Sequence, residues 1–442
     1  MSERQLAKGI DLWGVVALGI GTAVGVSIFS AIGPAAKLAG PAMLLSALCA
    51  ALPMYLIAVS YAFLGSAIPV SGASFSWPAR FLHPVWGFYI GWVRIIANVG
   101  AIVVLALVLV RYVSMLWPLP TKPTMLVLFS LALLANLFGI HIAARIQKIL
   151  LAGMLLLFAL FVGWGGTTAA DTAHLQPFLP HGFIGMLAAT PLLTGLFFGI
   201  EAATEAGAEV DDGQRNIPIG IAVSIGSATL LYLAVGFVAL AILGGDGLAA
   251  SQAPILDAAK RFMGPLATPL IVLAAVLSIG KSLNALFAMF SRSLYAMGAA
   301  GMLPKALGRV HPRWQTPHVA LVTVFGLACI GLLLPMELTF LFLAVNIPNL
   351  LKYGSICLVA ARVTEGHPDI YGKAAFKFSK HWTRGLAYAG ALCAFAMIFV
   401  GLEADWRPYA LLGGWIVVGA AMRALSRQAS GDHDMPMGDL PR

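Results

Sequence analysis

Twelve long apolar runs dominate this chain and leave few folds open to it. They lie near residues 11–36, 41–64, 82–113, 123–141, 145–166, 184–209, 218–244, 264–298, 318–335, 337–361, 384–402 and 407–425. A helix of roughly 20 apolar residues matches a hydrocarbon core about 30 Å thick. Backbone polar groups in lipid must bond within their own segment, so helices are the natural form of such runs. Pro and Gly punctuate the boundaries, as at Gly40-Pro41, Ile68-Pro69, Pro118-Leu119-Pro120 and Thr316-Pro317. Composition agrees: 60% of the 442 residues are hydrophobic and 10% are charged. So few charges cannot cover a surface facing water, and so much apolar content excludes disorder. The expected fold class is an all-α integral membrane protein with about 12 transmembrane helices.

Lys and Arg number 27 against 18 acids. Counted by alternate loops, 18 basic residues fall on the side of the N-terminus and 6 on the other, while Arg94, Lys281 and Lys352 fall inside runs. The positive-inside bias predicts that both termini are cytoplasmic. No basic cluster sits on a polar amphipathic segment, so the bilayer, not a nucleic acid, is the expected partner of this charge. Cys49, Cys329, Cys357 and Cys393 each lie in an apolar run without CxxC spacing, and read as packing residues. No small-residue cleavage site follows the polar start, so the first span reads as its own membrane signal. The alanine-rich composition suggests a GC-rich bacterial genome and hence the inner (plasma) membrane. Neither GxxxxGK[ST], HExxH nor GxSxG occurs, so no enzyme and no cofactor is expected.

Runs one and six differ from the others. The first reads Leu18-Gly-Ile-Gly-Thr-Ala-Val-Gly-Val-Ser-Ile-Phe29, with three glycines between Gly19 and Gly25. The sixth reads Thr190-Pro191, then Thr194-Gly195-Leu-Phe-Phe-Gly199-Ile-Glu201. Glycine weakens a helix interior, and in a membrane it also permits close packing. The two runs sit five spans apart. Interrupted segments at matching places in two halves point to a substrate site at the midplane. A broken helix frees N–H groups that suit a carboxylate and carbonyls that suit an ammonium or a metal cation.

With these motifs the sequence resembles the amino acid–polyamine–organocation (APC) superfamily of permeases, over nearly its whole length. Gly19-Ile-Gly…Gly25-Val-Ser-Ile-Phe29 is similar to the family's Gly-Ser-Gly-Ile-Phe signature. Pro69-Val-Ser-Gly-Ala-Ser-Phe75 is similar to its Pro-x-Ser-Gly-Gly-x-Tyr loop, with Gly87-Phe88…Gly91-Trp92 after it. Phe198-Gly-Ile-Glu201, Arg215-Asn-Ile-Pro218 and the stretch from Ser282-Leu-Asn to Gly301-Met-Leu-Pro304 follow in family order. The resemblance implies a five-plus-five inverted repeat like that of the bacterial leucine transporter, with helices 1 and 6 broken. Its parts would be a cytoplasmic N-terminus (1–10), a first repeat (11–166), a second repeat (184–361), two further spans (384–425) and a cytoplasmic tail (426–442). It also implies alternating-access transport of amino acids or related amines. Departures from the family pattern are Ser27 in place of a glycine and the acidic exit loop Glu209-Val-Asp-Asp-Gly. Met154 stands where proton-coupled relatives carry a lysine. Gly195 and Leu286 replace aromatics that close on guanidinium substrates.

Charged groups inside spans cost about 2.5–3.5 kcal/mol each on insertion scales, so each needs a reason. Glu201 could hold the chain open, bind the substrate ammonium, change protonation during the cycle, or simply bond carbonyls of span one. Glu205 and Glu209 follow at four-residue steps and read either as an inward path for a cation or, for Glu209, as a solvated partner of an inner-loop base. Lys281 reads either as a structural ion pair with Glu201 or as an ammonium taking the place of a metal cation against span one. Arg94 reads as snorkelling near the cytoplasmic end, and Asn98, one turn on, as a cavity residue. Asn346 and Asn349 flank Pro348, with Lys352 beyond, and form either a gate or a satisfied kink. Trp13, Trp86, Trp92, Trp117, Trp406 and Trp415 fit interfacial belts.

The expected function is a secondary transporter of a small amino acid or related amine. The carboxylate docks on N–H groups of Val24, Gly25, Val26 and Ser27, with Asn98 in the cavity. The amine meets carbonyls around Phe197, Phe198, Gly199 and Ile200, helped by Glu201. Phe197, Phe198 and Asn346 serve as gates, and Lys281 or Glu201 carries the coupling proton, unless transport is obligatory exchange. No metal is expected, and the chain acts as a monomer or homodimer. The competing readings are a polyamine permease that recognises no carboxylate, and a membrane sensor that binds without transporting.

Overall fold

The computed structural model describes residues 9–70, 72–137, 140–168, 172–199, 201–251, 253–400 and 405–430. Of the residues singled out above, Ile200, Ser71, the first eight and the tail from 431 lie outside the described set. Among the described residues the fold is helical, and the one β-bridge joins Ile10 to Val210.

The first apolar run forms α1 (Leu12–Ala23), α2 (Ser27–Ser30) and α3 (Ile32–Ala39). Then come α4 (Met43–Ala67), α5 (Ala73–Phe81), α6 (Pro84–Val113), α7 (Thr121–Leu137) and α8 (Ile140–Thr168). The sixth run gives α9 (Gly182–Thr194) and α10 (Ala202–Glu205). The rest is α11 (Gly213–Ala250), α12 (Pro254–Met263), α13 (Ala267–Ala299), α14 (His318–Gly331), α15 (Leu338–Gly366), α16 (Pro368–Lys373), α17 (Lys380–Val400) and α18 (Arg407–Ser430). Every expected apolar run therefore contains helix among its described residues. Among the described residues nine helical stretches are long and apolar enough to cross a membrane, and α7 and α14 are shorter apolar helices. Three of the twelve expected runs are not among the nine: those of α7, with 17 residues, α14, with 14, and α18. Three short helices, α5, α12 and α16, had no sequence expectation. α5 occupies the stretch read as a loop, and α12 buries Ile255, Leu256 and Ala259 while exposing Lys260.

The core sits where α1, α6, α11, α13 and α15 pack together. Lipid tails are as apolar as leucine, so helices in a bilayer gain cohesion from close backbone approach. Gly220 provides one such approach, since a Cβ there would come 2.1 Å from Val15 Cγ1. The outside is apolar too: Leu156, Ile184, Leu230 and Leu392 are all exposed. Trp92 and Trp415 are not belt residues. Their rings stack at 4.6 Å between centroids, and each indole N–H donates to the other's carbonyl (2.7 and 2.9 Å), which ties α18 to α6.

Candidate functional site

Asp11 caps α1 by accepting from the Gly14 amide (2.8 Å), which starts the helix at one face of the bundle. The helix stops at Ala23, where Val24 leaves helical geometry at φ −82°, ψ 79°. Chain direction resumes at Ser27 in α2. α9 ends at Thr194, tightens into a 3₁₀ turn over Gly195–Phe197, and opens to extended backbone at Phe198. Gly199 then takes φ +99°, a conformation that L side chains rarely adopt, before α10 begins. Both glycine-rich runs are therefore interrupted, and the two interruptions touch. Thr22 Oγ1 donates to the Gly199 carbonyl. The Tyr232 hydroxyl lies within bonding distance of the Ala23 carbonyl (2.8 Å) and the Leu196 carbonyl (2.9 Å).

A cavity of about 480 Å³ opens beside the paired breaks. Its wall includes Gly25, Val26, Ser27, Asn98, Phe198, Gly199, Glu201 and Asn346 of the residues singled out from sequence. Gly195 and Leu286, the two replaced aromatics, also line it. The amide groups of a first helical turn have no partner within the helix, and Ser27 starts α2 on this wall. Asn98 Nδ2 is buried and has no hydrogen-bond partner among the described residues. A buried unsatisfied donor in a cavity wall is costly unless something binds there. Asn349, beside Pro348, donates to the Val345 carbonyl one turn back (3.0 Å).

Three expected residues lie elsewhere. Val24 is fully buried and off the cavity wall, and its amide, expected to meet the carboxylate, donates to the Ile20 carbonyl (2.9 Å). Phe197 is also fully buried, edge-on to Tyr232 at 5.8 Å, and is therefore packed as core and not as a gate. Lys281 is fully buried behind α1, and it does not pair with Glu201. Its ammonium donates to the carbonyls of Val24 (2.6 Å) and Gly21 (3.1 Å), and to that of Ile20 (3.4 Å), which also accepts from the Val24 amide. Ser278 donates to Val24 as well (3.0 Å), and Ser282 to Gly21. The Lys281 ammonium thus sits against span one.

The partner of Glu201 is Lys352, which sequence reading had left in the kink of span ten. The Lys352 ammonium pairs with Glu201 Oε1, while Oε2 accepts from the Tyr353 hydroxyl (2.9 Å) and the Gly199 amide (3.1 Å). Lys352 also sits 4.2 Å from the centroid of the Tyr353 ring. The other acids of the four-residue series are likewise matched. Arg94, expected to snorkel, is 1% exposed and bonds Glu205 (2.8 Å), which also accepts from Ser74. Glu209, expected to be solvated, is buried against Arg292. Each acid thus meets a base from a different helix, α15, α6 or α13, while the second carboxylate oxygen of Glu205 is buried with no hydrogen-bond partner among the described residues.

The Glu209–Arg292 pair lies at the face where α1 starts. There the Gly9 and Ile10 amides both donate to the Glu209 carbonyl (3.1 Å each), and Lys148 pairs with Asp11 (2.9 Å). A small second pocket lies among Asp11, Lys148, Ala202 and Arg292, and Met289 lines both it and the large cavity. Pro34, Phe342 and Tyr409 also line the large cavity and not the small one.

Residues 10–417 match the amino acid permease family. An uncharacterized transporter of Mycobacterium tuberculosis is 31% identical over 72% of each chain. A branched-chain amino acid permease of Bacillus subtilis is 25% identical, covering 94% of this chain and 92% of its own. A methylthioribose transporter of the same organism is 26% identical, covering 94% and 93%.

Proposed function

Because this chain belongs to the amino acid permease family of the APC superfamily, a family of membrane transporters, we propose that it is a secondary active transporter of a small amino acid with a neutral side chain. It works by alternating access in a bacterial inner membrane, as a five-plus-five inverted repeat with both termini in the cytoplasm. The observation that carries this reading is the pair of broken helices meeting at a cavity of about 480 Å³. Unwound backbone is tolerated at membrane depth where it lines a cavity, and there its peptide groups are free to bind a solute. The substrate carboxylate docks on amides of Val26 and Ser27, with Asn98 as a side-chain donor, since the Gly25 amide already donates to the Ala23 carbonyl. The α-ammonium meets carbonyls near Phe198 and Gly199, since Glu201 is already engaged by Lys352. The charge bias of the loops makes the closed Glu209–Arg292 face cytoplasmic, so the cavity opens outward. Substrate binding favours closure of the outer side and loosening of the inner one, a shift between two packed arrangements.

Coupling follows from Lys281. Its ammonium holds three carbonyls of the α1 end together, as a bound metal cation would, and a proton leaving it would release them. Sodium is then unnecessary. Uptake into liposomes should persist when sodium is replaced and should rise with an inward pH gradient. In Lys281→Met the gradient should have no effect. Sodium-dependent uptake that the substitution leaves unchanged would reject this coupling.

The function itself is tested by a ligand panel. Amino acids and amines are screened for thermal stabilisation of the purified protein, and stabilisers are then tested for counterflow in liposomes. A neutral amino acid that stabilises and exchanges is the expected outcome. Stabilisation by diamines alone would favour a polyamine permease, and stabilisation without counterflow a sensor.

A further inference from the structure

We infer that Lys352 sets the charge selectivity of the cavity: by neutralising Glu201 it confines transport to amino acids with uncharged side chains and turns cationic ones away. The inference rests on the transport reading above and narrows its substrate class.

Glu201 is the one acid among the described residues of the cavity wall, and Lys352 is the one base. They pair with each other across 151 residues of sequence, and both are about as buried as side chains can be, at 2% and 1% exposure. Neither carboxylate oxygen is spare. Oε1 holds the ammonium, and Oε2 accepts from Tyr353 and from the Gly199 amide. A lysine or arginine side chain entering the cavity finds no free carboxylate, only a carboxylate already neutralised by the Lys352 ammonium. Burying an uncompensated charge among Ala101, Leu105, Phe342 and Leu350, which also form the wall, carries a large desolvation cost. An apolar side chain in the same place gains from leaving water. The wall therefore discriminates by leaving a charged side chain unpaired as much as by attracting the right shape.

The alternative is that the pair merely braces α15 against the break between α9 and α10. A brace is indifferent to ligand charge, and this separates the two. Counterflow of labelled leucine is measured in liposomes for the wild type, Lys352→Gln and Glu201→Gln, with unlabelled lysine and glutamate as competitors. In the wild type, both should compete about ten-fold or more weakly than unlabelled leucine. Lys352→Gln frees the carboxylate, so lysine should improve about ten-fold relative to leucine while glutamate does not. Glu201→Gln frees the ammonium, so glutamate should improve and lysine should not. Lysine matching leucine in the wild type overturns the inference, as does an equal loss of all competitors in both variants. If the wild type gives no counterflow with any of the three, the transport reading fails separately. The charge rule is then decided by thermal stabilisation with the same three amino acids, where opposite responses of the two variants uphold it and identical responses reject it.

Discussion

Gly195 and Gly199 lie four residues apart in the same break and have opposite roles. A Cβ on Gly199 would come 2.6 Å from Thr22 Cβ, at a backbone φ of +99°. Gly199→Ala should therefore destabilise the protein by roughly 1–3 kcal/mol, seen as a lower thermal midpoint with or without ligand. A Cβ on Gly195 would meet nothing closer than Asn346 Nδ2, at 3.9 Å. Gly195→Ala should leave the midpoint unchanged and instead shrink the cavity, raising the KM of large apolar substrates more than that of alanine. The glycine pattern of both runs was legible from sequence, since glycine frequency alone marks where a helix is weak. Which glycine is required by backbone angle and which leaves space for a ligand was not, because that depends on the facing helix. The partner of Glu201 was missed for the same reason. Lys281 and Lys352 are both buried lysines in apolar runs, and nothing in spacing says which of them reaches across 151 residues to Glu201.

Between elements, cohesion comes from acids on the sixth run and bases on three other helices. Breaking a buried pair by removing one partner typically costs roughly 3–5 kcal/mol, because a charge is left unmatched. Arg94→Ala should therefore lower the thermal midpoint strongly. Adding Glu205→Ala should recover part of the loss, since the stranded carboxylate is then gone. Additive losses in this double-mutant cycle would show that the two side chains do not act as a pair. The helices themselves were readable from apolar length, which lipid thickness constrains directly. The short helices α5 and α12 were not, because neither is long or uniformly apolar enough to announce itself. Trp92 and Trp415 were misread as belt residues because both lie near run ends. The reciprocal bonds between them only exist once α6 and α18 are side by side.

For the molecule as a whole, the cavity wall reaches Pro34 and Tyr409, while Glu209 and Arg292 pair in a buried contact that closes the face where α1 starts. Arg292→Ala should shift the balance toward opening at the closed face. A cysteine placed at Ala202, which lines the small pocket there, should then react faster with a membrane-impermeant thiol reagent added from that side. The Asp11–Lys148 pair at the same face is exposed and should matter less. The hydrogen bond from Lys148 holds the Asp11 carboxyl below its ordinary value of 3.8. A lowered carboxylate contributes fully above its unfolded value and is lost only as pH falls through the lowered one. Transport between pH 5 and 8 should therefore show no inflection that Asp11→Asn removes.

The account depends most on peptide groups at the α1 break receiving a carboxylate, and a structure of the full-length protein with leucine bound tests this directly. The carboxylate is predicted within about 3.2 Å of the Val26 or Ser27 amide nitrogen, with the leucine side chain toward Leu286 and Phe342. Leucine seated away from both breaks, or with its carboxylate on Lys352 and no bond to α2, would contradict it.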